Sequence, residues 1–337
     1  MTRKARPPAK THSHFDTADI KDELRAKAVR GGAWTAGGQA AKSLIQIASI
    51  LVLARLLSPA DFGLVGMVAA VTGFIAMFQD LGLSVATIQR KDITHEQISS
   101  LFWISLGLSA AAMLLSAAIA PALAWYYGEP RLNLIGLALA GAFLFGGLAS
   151  QHAALLKRRM RFGALTAIEL SSIAAGLGTA IVLAAMNFGY WALVGQRIIT
   201  MAVAAAACWV ICSWRPGMPR RGSEIGDLIA FGGNLTGFSV VNYFARNLDQ
   251  VLLGRHYGPA AVGLYQKAYD IMLIPLRQIN EPVGSIAIPV LSRLADQPER
   301  YRRAYFRLLE KILLVTMPMS AFMIMTSDWL VLLVLGE

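Results

Sequence analysis

Charge is what this sequence has least of. Only 15 % of its 337 residues are Asp, Glu, Lys or Arg, while 56 % are hydrophobic. Soluble domains carry about 25 % charged residues, and a soluble chain of this size cannot bury so much apolar surface. A water-soluble enzyme or binding domain is therefore excluded. Cysteine is nearly absent too. Cys208 and Cys212 lie one helical turn apart in an apolar run with no His nearby. No disulfide framework follows, and the pair reads as two small core residues rather than half a metal site. His12 and His14 form an H-x-H in a polar tail and read as solvated. No phosphate-cradling glycine loop, no nucleophile elbow and no substantial loop domain interrupts the apolar runs. ATP hydrolysis, serine-type catalysis and glycosyl transfer find no support, so the protein is not read as an enzyme and no cofactor is expected.

What is present is a series of long apolar runs. A membrane-crossing helix needs about 20 mostly apolar residues, because it rises 1.5 Å per residue across roughly 30 Å of hydrocarbon. Lipid satisfies no backbone N–H or C=O, so spans are helices or closed barrels. These runs lack the alternation of barrel strands. The fold class is accordingly all-α integral membrane, with about nine transmembrane helices near 33–57, 62–82, 100–124, 132–155, 166–186, 190–212, 228–250, 260–290 and 308–326. A short apolar piece, 329–335, ends the chain. Residues 1–32 form a basic tail. The first apolar run starts too late and is too long for a signal peptide, and no small-residue cleavage site follows it.

The net charge of +11 follows the topology. Lys and Arg gather in the tail, at Arg90 and Lys91, at Lys157 to Arg161, at Arg215, Arg220 and Arg221, and from Arg293 to Lys311. The alternate connections, 58–61, 128–131, 187–189 and the turn at Gly258, carry almost no positive charge. This alternation predicts a cytoplasmic N-terminus and contact with anionic lipid of the bilayer. It makes nucleic acid an unneeded partner.

The chain also carries one motif twice, which reads as an internal repeat or as two similar Pro/Gly turns. Residues 53–64 read LARLLSPADFGL and residues 253–264 read LGRHYGPAAVGL. At an offset of 200, Leu53, Arg55, Pro59, Ala60, Gly63 and Leu64 match Leu253, Arg255, Pro259, Ala260, Gly263 and Leu264. Span seven thus reads as a second span one, giving parallel repeats of six helices, a pattern of secondary transporters. The domains follow: a cytoplasmic tail (1–32), a first six-helix lobe (33–213), a cytoplasmic linker (214–227) and an incomplete second lobe (228–337). Nine spans leave the second repeat three helices short, as in a fragment or a truncated gene product.

Four segments carry a family resemblance: LARLLSPADFGLVGM (53–67), FQDLGLSVATIQRKDITHEQISSLFW (78–103), LLKRRMRFGALTAIE (155–169) and NLDQVLLGRHYGPAAVGLYQKAYDI (247–271). From about residue 30 onward the chain resembles the polysaccharide-exporter and O-antigen flippase (Wzx-like) branch of the multidrug/oligosaccharidyl-lipid/polysaccharide superfamily. The match covers the first nine of a usual twelve or more helices. The resemblance implies two six-helix lobes around a V-shaped cavity. It implies flipping of a polyprenyl-diphosphate-linked oligosaccharide across the inner membrane, with polysaccharide polymerase or export machinery as further partners.

Such a cargo has an anionic head and an apolar tail, so its carrier needs cations or hydrogen-bonding groups within the membrane. Intramembrane ionisable residues are costly and are functional candidates by default. Lys42 lies in span one with Gln39 and Gln46 at i−3 and i+4, one polar stripe on one face. It reads as a cavity cation or as a Lys snorkelling to headgroups. Arg197 in span six reads as a cavity cation or an interfacial Arg. Glu169, early in span five, reads as the partner of a cytoplasmic Arg or as a proton acceptor. Arg246 and Asp249 on span seven, and Lys267 and Asp270 on span eight, are i, i+3 pairs. They read as a charged cluster on a cavity wall or as a structural network. Asp80 reads as a cap in its D-L-G-L turn or as a gate, with capping favoured. Pro275, Pro282 and Pro289 recur every seven residues and predict a bent span eight, a hinge for alternating access or a static kink. Gly136, Gly141, Gly146 and Gly147 read as close helix packing. Two rival functions stay open: a drug or cation antiporter of the same superfamily, whose cavity should be acid-rich, and a non-transporting membrane remnant.

Overall fold

The computed structural model describes residues 24–80, 82–89, 93–218, 241–245, 247–273 and 297–329, with side chains from residue 37 onward. Among these residues all regular structure is helical. The helices are α1 (Leu24–Leu56), α2 (Pro59–Ala76), α3 (Leu83–Gln89), α4 (His95–Tyr127), α5 (Arg131–Ala140), α6 (Ala142–Arg158), α7 (Phe162–Ala185) and α8 (Trp191–Ile211). Helical residues 247–273 form α9, preceded by a helical stretch at 241–245, and Pro298–Met325 form α10. Among the described residues seven stretches are long and apolar enough to cross a membrane: Gly37–Leu56, Pro59–Ala76, His95–Tyr127, Arg131–Arg158, Phe162–Ala185, Trp191–Ile211 and Pro298–Met325. The chain is an all-α, multi-pass membrane protein. The expected spans 228–250 and 260–290 lie partly outside the described residues, as do Arg246 and the Pro275, Pro282 and Pro289 series.

Local chemistry sets the helix ends, and it refines the approximate ends of two expected spans. Span two was expected at 62–82, but α2 begins at Pro59 because Ser58 and Asp61 form a capping box. The Asp61 N–H donates to Ser58 Oγ at 3.3 Å and the Ser58 N–H donates to the Asp61 carboxylate at 3.0 Å. Proline at the first helical position loses no needed donor. The helix stops at Ala76, and the D-L-G-L turn then starts α3. There the Asp80 carboxylate accepts from Ser84 N–H at 3.1 Å and Ser84 Oγ at 2.8 Å, the capping role expected of it. Span three was expected at 100–124. A second capping box, Thr94 with Gln97, starts α4 at His95, and Gly128 in the left-handed region (φ 69°) ends it. A helix of 33 residues is about 50 Å long, so its polar first turn reaches beyond the hydrocarbon. Beyond α4, Glu129 and Arg131 form a bidentate pair at 2.8 and 2.9 Å. The Arg131 guanidinium holds the Glu129 carboxyl below the usual carboxylate range and neutralises the cation in that connection.

Small residues let the helices close on one another. A Cβ on Gly136 would come 2.7 Å from Ala120 Cβ, one on Gly146 2.3 Å from Gln79 Nε2, and one on Gly147 2.4 Å from Ser109 Oγ. These three pack as the sequence suggests. Gly141 does not: its nearest neighbour is Ala138 O in the preceding turn, at 3.4 Å, and it is the joint between α5 and α6. One core gathers Phe102, Leu155, Leu156 and Trp214 with both cysteines buried in it. A second joins Leu64, Met67 and Val68 of α2 to Leu132, Ile135, Val194 and Val262. A third packs Leu53 of α1, and Leu57 just past its end, on Ala180 and Ala184 of α7, with Phe62 and Ala192.

Candidate translocation path

The first polar feature lies where α1 crosses α7. Gly38 meets Thr166 so closely that a Cβ would stand 2.3 Å from its Cγ2. One turn further, Lys42 forms an ion pair with Glu169, three residues past Thr166. Lys42 sits five residues, about 8 Å, inside the apolar stretch that opens at Gly37. Its ammonium turns across to α7 rather than along its own helix, and Glu169 takes Lys42, not an arginine, as partner. Both side chains stay partly open, 28 % exposed for Lys42 and 50 % for Glu169. Gln39 and Gln46 flank the pair on exposed positions of α1, and one turn beyond Gln46's level the Gln196 amide of α8 donates to Ser49 Oγ at 3.3 Å. The expected polar stripe on α1 is present. Arg197 lies on an exposed position of α8, and no hydrogen bond or ion pair joins it to Lys42 and Glu169.

Of the charged cluster expected on spans seven and eight, Arg246 lies outside the described residues, while Lys267 and Asp270 stand close enough for their opposite charges to attract. Asp249 accepts a hydrogen bond from Tyr265 Oη across the turn at Gly258, which divides α9 into two arms, and from the Gln250 N–H at 2.8 Å. Lys267 reaches α2, where its Nζ stands 3.8 Å above the Phe62 ring centroid, a cation–π contact. Asp270 is half-buried on the same arm.

The third feature is the contact between the repeated motifs. The chain turns between the arms of α9 at Gly258 (φ 77°), which brings Pro259 and Gly263 against Pro59 and Gly63. A Cβ on Gly63 would stand 1.6 Å from Pro259 O, and one on Gly263 1.8 Å from Pro59 O. The four residues matched at an offset of 200 therefore touch reciprocally, each glycine beneath the other copy's proline carbonyl, the pattern of an approximate two-fold. The seam continues along α2. A Cβ on Gly66 would meet Gln266 Oε1 at 2.3 Å, and Gly254 packs on Met67 and Tyr127. Tyr243 Oη donates to Ala70 O at 2.7 Å, and Phe74 and Phe244 lie 5.0 Å apart. Repetition in sequence signals relatedness, not contact, so the seam was not foreseen.

A buried polar ladder also went unremarked. Thr87 Oγ1 donates to Gln151 Oε1 at 2.8 Å, Gln151 Nε2 donates to Ser105 Oγ at 3.4 Å, and Gln79 Nε2 donates to Phe143 O at 2.7 Å and Ser109 Oγ at 3.1 Å. Arg158, counted above among loop cations, is buried and donates to Thr87 O at 3.0 Å, closing the end of α3. Gln151 and His152 interrupting an apolar run were the available signal. These bonds pin α3, α4 and α6 together. Replacing Gln151 by leucine is expected to lower unfolding stability in detergent by about 1 kcal/mol, the scale of a hydrogen bond between membrane helices, read as a lower melting temperature with membrane insertion unchanged.

The family described as "Polysaccharide biosynthesis protein" matches residues 52–337. Among curated proteins, the chain is 27 % identical over 309 residues to the teichuronic acid biosynthesis protein TuaB of Bacillus subtilis, covering 91 % of this chain and 64 % of that protein. It is 26 % identical over 324 residues to the lipopolysaccharide biosynthesis protein WzxC of Escherichia coli, covering 93 % and 64 %. It is also 26 % identical over 286 residues to the succinoglycan biosynthesis transport protein ExoT of Rhizobium meliloti, covering 83 % and 57 %. The chain thus spans under two thirds of the length of these relatives. No solved structure matches it. With the family match covering all but the tail and most of the first helix, the resemblance drawn from the sequence is borne out: the chain belongs to the polysaccharide biosynthesis protein family, in the Wzx-like branch of the multidrug/oligosaccharidyl-lipid/polysaccharide superfamily.

Proposed function

We propose that the protein carries a polyprenyl-diphosphate-linked oligosaccharide, a precursor of surface polysaccharide, across the bacterial inner membrane by alternating access. The observation that carries this reading is the reciprocal seam of Pro59 and Gly63 with Pro259 and Gly263. Two related halves meeting about an approximate two-fold are what a rocking carrier needs, with the lobes 33–213 and 228–337 moving about the linker 214–227. The names of the relatives, which place them in teichuronic acid, lipopolysaccharide and succinoglycan biosynthesis, support a glycan cargo. The basic connections support a cytoplasmic N-terminus. Lys42 with Gln39 and Gln46, and Arg197, meet the diphosphate and sugars in the first lobe; Arg246, Asp249, Lys267 and Asp270 line the second, and Pro275, Pro282 and Pro289 bend span eight. The role is that of a carrier, not a catalyst.

A strain lacking the gene tests the reading. It is expected to lose surface polysaccharide and to accumulate lipid-linked oligosaccharide facing the cytoplasm, with unchanged sensitivity to cationic drugs. A strain that keeps its polysaccharide and becomes drug-sensitive would overturn the reading in favour of an antiporter.

A further inference from the structure

We propose that Glu169 is a tethered stand-in for the cargo's anionic head: it holds Lys42 while the path is empty and yields it to a lipid-linked diphosphate. The inference rests on the reading above that Lys42 meets that head. An ammonium has three donors, and among the described residues the one hydrogen bond of Lys42 goes to Glu169. Among those residues the other two N–H groups are available to a ligand. The pair is open on both sides, with half of the Glu169 side chain exposed, so an anion reaches Lys42 without unpacking α1. The helix crossing does not depend on the pair either. It rests on the Gly38–Thr166 approach and on Leu53 and Leu57 against Ala180 and Ala184.

A lone lysine at this depth would be costly in lipid, and Glu169 removes that cost in the empty state. The carboxylate does more once cargo arrives. Tethered one helix away, it competes with the diphosphate at high effective concentration. It therefore weakens binding and recaptures Lys42 as cargo leaves. A cation alone would grip a diphosphate and release it slowly. Gln46, exposed one turn along the same flank, offers an amide beside the exchange.

The test uses the purified full chain in nanodiscs, with geranylgeranyl diphosphate and inorganic pyrophosphate as probes and tryptophan fluorescence as readout. Glu169→Gln is expected to bind both about fivefold tighter than the natural protein, the effect of one partly exposed ion pair, while surface polysaccharide in cells falls because release slows. Lys42→Gln is expected to bind weakly whether residue 169 is Glu or Gln. Where Glu169→Gln does not insert, Glu169→Asp keeps the charge, shortens the reach and is expected to give tighter binding than the natural protein. If Lys42→Gln weakens binding but neither change at 169 tightens it, the stand-in role is overturned and the assignment of Lys42 survives. If Lys42→Gln binds as tightly as the natural protein, that assignment fails and the stand-in role fails with it. Tightening with the lipid but not with pyrophosphate would also overturn the exchange, because it would trace the effect to the tail.

Discussion

A single methyl group at Gly63 is expected to break the seam between α2 and α9. The added carbon would lie 1.6 Å from Pro259 O, and the obstruction is backbone, which cannot rotate aside. The two segments must separate, and with them Val262 leaves its place among Leu64, Met67 and Val68. Gly63→Ala should cost about 3 kcal/mol, the upper part of the range for overpacking, measured as thermal unfolding in detergent, and surface polysaccharide should fall to background. Reciprocity sharpens the expectation. Gly263→Ala meets Pro59 O at 1.8 Å and should match it. The double variant should cost clearly less than the sum, since the first separation already relieves the second clash. Gly107→Ala and Gly178→Ala are the controls: both sites are helical with nothing within 4 Å of the added carbon, and alanine there should be neutral or stabilising by up to about 1 kcal/mol. If Gly63→Ala and Gly263→Ala behave like these controls, the seam is not a feature of the working protein.

The sequence was legible where chemistry is local. Span order and the cap at Asp80 depend on residues within a turn or two of each other; the capping boxes at Ser58 and Thr94 are equally local, but hydropathy alone set the expected span ends without them. The stripe Gln39, Lys42, Gln46 follows from helical periodicity alone. What periodicity does not carry is which helix faces which. Lys42 and Glu169 are 127 residues apart, and an arginine was as good a partner for Glu169 on sequence grounds. Spacing pairs Asp249 with Arg246, which lies outside the described residues; its contact with Tyr265, from the far arm of α9, is one that spacing does not suggest. In lipid, apolar faces do not sort themselves by burial; close approach at small residues decides the neighbours. Gly38, Gly63 and Gly263 mark three such approaches, and one glycine in an apolar run looks like any other until its neighbour is known.

Lys42→Glu is expected to abolish surface polysaccharide, but that result alone does not separate transport from folding. The substitution sets two carboxylates against each other across the α1–α7 crossing, a repulsion of about 4 kcal/mol at 4 Å with an effective dielectric near 20, so some loss of inserted protein accompanies it. Lys42→Gln avoids the repulsion and should insert normally while still losing most polysaccharide, because the amide cannot replace a full positive charge opposite a diphosphate. The charge swap, Lys42→Glu with Glu169→Lys, decides between the two roles. It restores an ion pair between the same helices, so insertion and melting temperature should return to natural values. The cation now projects from α7 instead of from the flank that carries Gln39 and Gln46, so transport should remain far below normal. A swap that recovered both stability and polysaccharide would show that the pair serves only to hold α1 on α7, and the cation of the path would then have to be sought at Arg197, which stands exposed on α8 with no ion pair to Lys42 or Glu169.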